Sequence, residues 1–314
     1  MGSEDSLRNL TVLIPVLNEA KAIGKVLDEV LNVGVPRENI IVVDGGSSDG
    51  TVEIARSRNV EVIPQEGKGK ALAIKTGLKH VSTPYVLVMD GDYTYPAKHI
   101  IDLYKKIMNE GHDLVIGSRR FHSPVQTRIY RIGNLFLTKL FNLLFGTGLT
   151  DILSGMYIAK TEKLREIMFE MPHFSVESEI VAHVASTTGR IAEIPINYRR
   201  RLGEKKLSVK HGIGIARDMI RLTWRYNPAF FIFILGSLLL IPGLLLGGWV
   251  AYHYFFVGIK YYVKGLVAII LTAAGFTSLL LAVMALYTKR IEMRMQKRMD
   301  EIEQLIEEYL NRKS

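Results

Sequence analysis

Tyr85-Val-Leu-Val-Met-Asp90-Gly-Asp92 is the stretch from which the rest of the chain can be read. An unbroken apolar run ahead of the first aspartate fits a short strand buried on both faces. The two carboxylates come where that strand stops, at the sheet edge where α/β proteins bind their ligands. Two aspartates separated by one residue can both reach into such a crevice. There they can hold a divalent cation through hard oxygen ligands, and the cation can hold a diphosphate. Turns after strands are rich in Asp and Gly, so the pair takes its meaning from what flanks it.

Upstream, residues 10–16 read as a strand, 19–31 as a helix, 40–43 as a strand, 51–58 as a helix, 60–63 as a strand and 70–80 as a helix. Downstream come a helix at 98–109 and a strand at 114–116. Short apolar strands alternating with helices predict an α/β domain with a mainly parallel, doubly wound sheet. Past Gly117 the pattern changes to an apolar, aromatic-rich helix at 128–145, a helix at 176–186 and a strand at 190–198. A basic segment, 199–210, then leads to an amphipathic helix at 213–226. Ile213, Ala216, Ile220 and Trp224 share one of its faces and arginines hold much of the other, as in a helix lying in a membrane interface.

No charged residue occurs from Tyr226 to Ile259, with His253 taken as neutral, or from Gly265 to Thr288. Each stretch exceeds the roughly 20 residues that cross a bilayer core. Only Lys260-Tyr-Tyr-Val-Lys264 separates them, so they predict a hairpin of two transmembrane helices. Arg217, Arg221 and Arg225 precede it and Lys289, Arg290, Arg294, Lys297 and Arg298 follow it, which places both ends of the chain in the cytoplasm. With no signal peptide read at its start, the N-terminal domain is expected to stay cytosolic. The expected organisation is a catalytic domain over 1–210, a juxtamembrane helix over 211–228, the hairpin over 229–288 and a cytoplasmic helix over 289–314. In the last segment Ile291, Met295, Met299, Ile302, Ile306 and Tyr309 recur every three or four residues, a stripe that can pack on a neighbouring subunit of a homo-oligomer or on the catalytic domain.

The chain has 314 residues and a formal net charge of +9. It carries no nucleic-acid recognition motif, so no nucleic-acid partner is expected. Phosphate substrates and anionic lipid account for the basicity more simply. Cysteine is absent, which excludes disulfides, thiolate catalysis and cysteine-held metals.

Other motifs fall at the ends of the strands. In Pro15-Val-Leu-Asn18-Glu19 the asparagine is placed to cap the next helix, and the glutamate suits the positive helix end or the edge of a base. Asp44-Gly-Gly-Ser-Ser-Asp49-Gly-Thr51 joins acceptors for ribose or base groups to glycines that let a ligand approach the backbone. A plain turn and cap explains the same residues. Gly67-Lys-Gly-Lys70 lacks the spacing of a Walker loop yet brings lysines toward the same edge. Gly117-Ser-Arg119-Arg120, Arg128, Arg131, Arg199, Arg200, Arg201, Lys205 and Lys206 recur ahead of the membrane segment, which suggests a groove for a lipid-borne phosphate. Asp151-Ile-Leu-Ser-Gly155 and Glu177-x-Glu179 are further acidic sites, more often caps or structural pairs than catalysts.

As an ordered set over residues 10 to about 210, these motifs resemble the family-2 glycosyltransferases of the dolichyl-phosphate mannose and polyprenyl-phosphate glucose synthase type. The resemblance implies a GT-A fold and inverting transfer of one hexosyl unit from a nucleotide-sugar, GDP-mannose or a UDP-hexose, to dolichyl or polyprenyl phosphate. The product would be a lipid-linked sugar donor for glycan assembly, made on the cytosolic leaflet. It implies that Pro15, Glu19, Asp44 and Lys70 bind the donor nucleotide, and Asn18 and Asp49 in the same motifs are further candidates. Asp90 and Asp92 would hold Mg²⁺ or Mn²⁺ and the diphosphate, and Asp151 would orient groups around the sugar. The acceptor phosphate would meet Arg119, with Arg128 or Arg131, and Arg200, Arg201 or Lys206. Thr94 stands where many members carry a glutamine as an additional metal ligand, and Lys205 where they carry serine. A processive polysaccharide synthase would need a Gln-x-x-Arg-Trp motif and more spans than this chain offers. A non-catalytic scaffold would not need the aspartate pair.

Overall fold

The structure is a computed structural model that describes residues 7–122, 128–169, 176–203 and 210–311. The chain divides between Leu222 and Thr223 into two compact units. In the first, β1 (Leu10–Val16), β2 (Ile40–Asp44), β3 (Glu61–Pro64) and β4 (Tyr85–Val88) pair in parallel, with Leu13 opposite both Ile41 and Val88. Leu10, Leu13, Ile14 and Leu87 are fully buried, as expected of strands covered on both faces. Parallel pairing brings Val16, Asp44 and the start of the Asp90–Asp92 turn to one edge of the sheet.

Helices α1 (Ile23–Asn32), α2 (Thr51–Arg56) and α3 (Lys70–Leu78) connect these strands, and α4 (His99–Glu110) follows β4. α1 buries Ile23, Val26, Leu27 and Val30, the spacing of one helical face. It begins four residues later than its apolar pattern predicts. Ala22, not Asn18, occupies the N-cap, because Asn18 takes a left-handed backbone (φ 53°) and holds a turn instead.

The sheet continues through β5 (Leu114–His122), β6 (Tyr157–Lys160) and β7 (Ile191–Asn197), giving the order β3-β2-β1-β4-β6-β5-β7 among the described residues. β6 was not anticipated from the sequence. It is four residues long and runs straight into α6 (Thr161–Arg165), too short to show a period. It inserts antiparallel between β4 and β5, with Tyr157 opposite both Val88 and Ile116. An antiparallel strand starts at the edge where its parallel neighbours end. The loop before β6, carrying Asp151 and Gly155, is therefore delivered to the edge that carries Asp90. α5 (Arg128–Phe145) and α7 (Val176–Thr187) complete the helices that precede α8 (Lys210–Tyr226). Along α8, Ile215, Met219 and Leu222 are buried, whereas Ile220 and Trp224 on the expected membrane face remain exposed.

The second unit is a helical hairpin. α9 (Pro228–Tyr252) ends in a π-turn over His253–Val257, and α10 (Tyr262–Asn311) runs for 50 residues. Their apolar segments, Pro228–Val257 and Tyr262–Glu292, are long enough to cross a membrane. Leu245 and Ile269 stay 70% and 67% exposed, which suits lipid and not a soluble core. The two helices approach closely at glycine: a Cβ on Gly275 would lie 2.4 Å from the Leu240 backbone nitrogen. Ser278 Oγ donates across the hairpin to the Ile232 carbonyl at 2.9 Å. α10 runs without interruption from the expected membrane span into the helix expected after residue 288. Ile291, Met295, Met299 and Ile302 are exposed along this extension, and the side chains of Ile306 and Tyr309 lie outside the described residues.

Candidate active site

The Asp90–Asp92 turn lies at the centre of the edge. Asp92 Oδ1 accepts from the Thr94 backbone N–H at 3.0 Å and from its hydroxyl at 2.5 Å. Thr94, at the position expected to offer an additional metal ligand, is buried and its hydroxyl donates to Asp92. Asp92 Oδ2 accepts from Arg201 Nη1 at 2.6 Å, while Arg201 Nη2 binds Glu19 Oε1. The backbone after β7 lies along this turn. Arg199 N–H donates to the Thr94 carbonyl at 2.9 Å and Leu202 N–H to that of Asp92 at 3.2 Å, which fixes where Arg201 can reach. Burial, followed by the negative charge of Asp90, pushes the Asp92 carboxyl above its usual range, against the pull of Thr94 and Arg201.

Asp90 is answered by Lys70. Gly69, at φ 95°, turns the chain into α3, whose first residue is this lysine. The Gln65 amide braces the turn, donating to the carbonyls of Gly67 and Gly69 at 3.1 and 3.0 Å. Lys70 Nζ then lies 2.5 Å from Asp90 Oδ1 and 2.5 Å from Glu177 Oε1, at the start of α7. Burial opposes its charge, but Asp90 and Glu177 outweigh burial and hold the ammonium well above its usual range. Gly155 makes room for this arrangement. A Cβ there would fall 2.2 Å from Asp90 Oδ2, so any side chain would drive the carboxylate from its place.

Beside this cluster lies a sealed pair. Arg119 Nε and Nη2 meet Asp151 Oδ2 and Oδ1 at 2.7 and 2.8 Å, and the Arg119 backbone N–H adds a third bond at 2.9 Å. Arg119 also donates to the Leu153 carbonyl and to the Tyr95 hydroxyl, and Asn134 donates to Asp151. The Tyr95 hydroxyl accepts from Gly155 N–H at 2.7 Å, linking the pair to the Asp90 pocket. Glu193 of β7 takes the N–H groups of Thr150 and Asp151 and so holds the loop itself. Burial works against the Asp151 charge, but Arg119 outweighs it and keeps the carboxyl below its usual range. Asp151 is 1% exposed, and Nε, Nη1 and Nη2 of Arg119, the residue expected at the acceptor phosphate, each have a partner within the protein.

The expected nucleotide residues gather along β1 and β2. Pro15 lies opposite Val43 in the sheet. Asn18 Oδ1 accepts from Ser48 N–H, and Ser47 Oγ accepts from Asn18 N–H. Asp44 accepts from the N–H groups of Gly46 and Ser47, and Asp49 from those of Ala20 and Thr51. Asn18, Asp44 and Asp49 thus knit the loops after β1 and β2 into one wall. Arg131 and Arg200 are exposed, whereas Lys206 and the side chain of Arg128 lie outside the described residues. Glu177 and Tyr95 were not assigned to the site from sequence. Glu177 lies 107 positions from Lys70, and no local pattern announces such a partner.

No group of three or more His, Asp or Glu among the described residues is arranged to hold a metal. The chain offers two carboxylates at one turn. That donor set fits a hard divalent ion that shares its coordination with substrate phosphates.

The sequence profile of Glycosyl transferase family 2 matches residues 11–174. Glycosyltransferase AglJ of Haloferax volcanii is 29% identical over 93% of this chain and 97% of its own length. A Dolichyl-phosphate hexose transferase of the same organism is 31% identical over 70% of this chain and 96% of its own length. Among solved structures, glucosyl-3-phosphoglycerate synthase from Mycobacterium tuberculosis, in complex with Mn²⁺, UDP-glucose and phosphoglyceric acid, superposes with a TM-score of 0.58. It is 23% identical, covering 71% of this chain and 81% of that one, a likeness of fold.

Proposed function

Because the chain belongs to glycosyl transferase family 2, we propose that it transfers one hexosyl unit from a nucleotide-sugar to the phosphate of a polyprenyl lipid such as dolichyl phosphate. The observation that carries this reading is the turn at the end of β4. Its two aspartates sit at the ligand-binding edge, each facing a cation that a diphosphate can also use. The apolar hairpin supports a lipid-borne acceptor, as does the relative named a dolichyl-phosphate hexose transferase. Arginines on both sides of the hairpin support a catalytic unit and chain ends on the cytoplasmic side.

An acceptor phosphate is already an anion at neutral pH, so the reaction needs no strong general base. Its oxygen attacks the anomeric carbon from the face opposite the diphosphate. The bond from that carbon to the diphosphate oxygen breaks with inversion, and the nucleoside diphosphate leaves with the electron pair. Asp90 and Asp92 would hold Mg²⁺ or Mn²⁺, which when bound supplies a Lewis acid for the leaving diphosphate. Lys70 and Arg201 are placed to take diphosphate oxygens at the same turn. The wall formed by Pro15, Asn18, Asp44 and Asp49, with Glu19 beside it, suits the nucleoside. Arg131 and Arg200, with Arg128 and Lys206, are the cations for the acceptor phosphate. The Arg119–Asp151 pair holds the loop that carries Gly155 and acts on the sugar site through that loop.

The test is a panel of GDP-mannose, UDP-glucose and UDP-GlcNAc, each assayed with dolichyl and undecaprenyl phosphate. One donor–acceptor combination is expected to give a glycolipid that requires Mg²⁺ or Mn²⁺. No glycolipid from any combination would leave a nucleotide-binding scaffold as the better reading.

A further inference from the structure

Lys70 is gripped by two carboxylates that differ in access. The side chain of Asp90 is 31% exposed and that of Glu177 is 9% exposed. Arg201 likewise bridges two carboxylates, Asp92 and Glu19, although these are equally buried at 8% and 7% exposure. Asp90 and Glu177 share Lys70, and Asp92 and Glu19 share Arg201, so the turn gathers carboxylates to which a divalent ion can be drawn. An ion drawn to Asp90 and Asp92 takes those carboxylates away from Lys70 and Arg201. A lysine so released beside a divalent cation would be repelled, and a partly buried ammonium without a counter-ion is unstable. Glu177 removes that difficulty. It approaches Lys70 from the interior, and the positive end of α7 favours its own charge. The buried Tyr157 hydroxyl, one of the side-chain groups with no hydrogen-bond partner among the described residues, interacts electrostatically with Lys70, Glu177 and Asp90. It offers the ammonium a second acceptor once Asp90 is committed elsewhere.

We propose that Glu177 is a positioning residue that keeps the Lys70 ammonium at the head of α3 while Asp90 is given over to a metal-bound diphosphate. Lys70 then changes partner from aspartate to diphosphate without leaving the site. This inference rests on the donor-site reading above.

The experiment uses the full chain in detergent. Mn²⁺ alone is titrated by electron paramagnetic resonance, and UDP and GDP with Mn²⁺ by calorimetry. Glu177→Gln is expected to weaken nucleoside diphosphate binding about 10- to 100-fold, the loss typical of a hydrogen bond to a charged group. It also weakens binding of Mn²⁺ alone, because Lys70 then rests wholly on Asp90. Lys70→Met is expected to strengthen binding of Mn²⁺ alone by removing the competitor. In that background Glu177→Gln should change nucleotide binding no further. Glu177→Asp should recover part of the lost affinity. If the glutamine variant does not fold, Glu177→Asp in the wild-type and Lys70→Met backgrounds gives the same comparison. An equal loss in both backgrounds, or none in the wild type, overturns the proposal. If the wild type binds neither UDP nor GDP with Mn²⁺, the donor-site reading fails. The titrations of Mn²⁺ alone still decide whether Glu177 governs Lys70.

Discussion

Two carboxylate–cation assemblies lie at the same sheet edge and differ in how completely they are closed. Asp151 and Arg119 form a two-pronged pair whose remaining bonds go to Asn134, Leu153 and Tyr95. Asp90 and Asp92 are each held by a cation that also serves a second carboxylate, Glu177 and Glu19. The first assembly has little left to offer a ligand. The second can exchange partners without stranding a charge. What a charged residue can offer a ligand thus depends on what already surrounds it, and residue type alone does not separate the two assemblies.

The largest expected effect tests the open assembly. Asp90→Asn and Asp92→Asn should each lower hexosyl transfer on the order of 10²–10³-fold, as when an electrostatic contact to a transition state is removed. Their melting temperatures in detergent should stay close to that of the wild type. A large fall in melting temperature with proportionate loss of activity would make these aspartates structural and erase the contrast.

Asp151→Asn should do the reverse. Leaving Arg119 buried without its counter-ion costs about 3–5 kcal/mol, read as a lower melting temperature. Residual activity should follow the folded fraction. Acid supplies the sign. The folded Asp151 carboxyl lies below its ordinary 3.8, so the stability from this pair is whole above that pH. It is lost as pH falls through the folded value. Melting curves across that range should lose part of their acid limb in Asp151→Asn, and an unchanged limb would deny the pair its role.

Arg119→Lys keeps the charge and removes the fork, which should cost about 1–3 kcal/mol of stability. If it instead raised the KM for lipid phosphate at unchanged melting temperature, Arg119 would belong with the acceptor cations after all. The smallest effects belong to exposed cations. Arg131→Gln and Arg200→Gln should each raise the KM for lipid phosphate roughly 2- to 5-fold, with less effect as salt is added. No change at low salt would move the acceptor site away from both.

What the sequence disclosed follows from how local each signal is. The apolar runs that became β1, β2 and β4, and the aspartates that end β4, are contiguous in the chain. Asn18 misled, because capping residues and left-handed turn residues are drawn from the same short polar side chains. β6 left no period to detect, and without it nothing in the sequence brings Gly155 to Asp90. Arg201 reaches Glu19 across 182 positions, a pairing made by the sheet and absent from any window of sequence. The continuity of α10 past residue 288 was hidden by a change in composition, whereas the backbone registers only the lack of a helix breaker.

The insertion of β6 also sets the order in which a working molecule can arise. Its two neighbours are made earlier, and until it arrives β4 and β5 have no direct partner in each other. A chain still lacking those four residues exposes strand edges at the middle of its sheet, where another chain can pair. The same arrival carries Asp151 and Gly155 into position. Closure of the sheet's centre and delivery of Asp151 and Gly155 to the edge are therefore one event, to which α7 and β7 then add Glu177, Glu193 and Arg201.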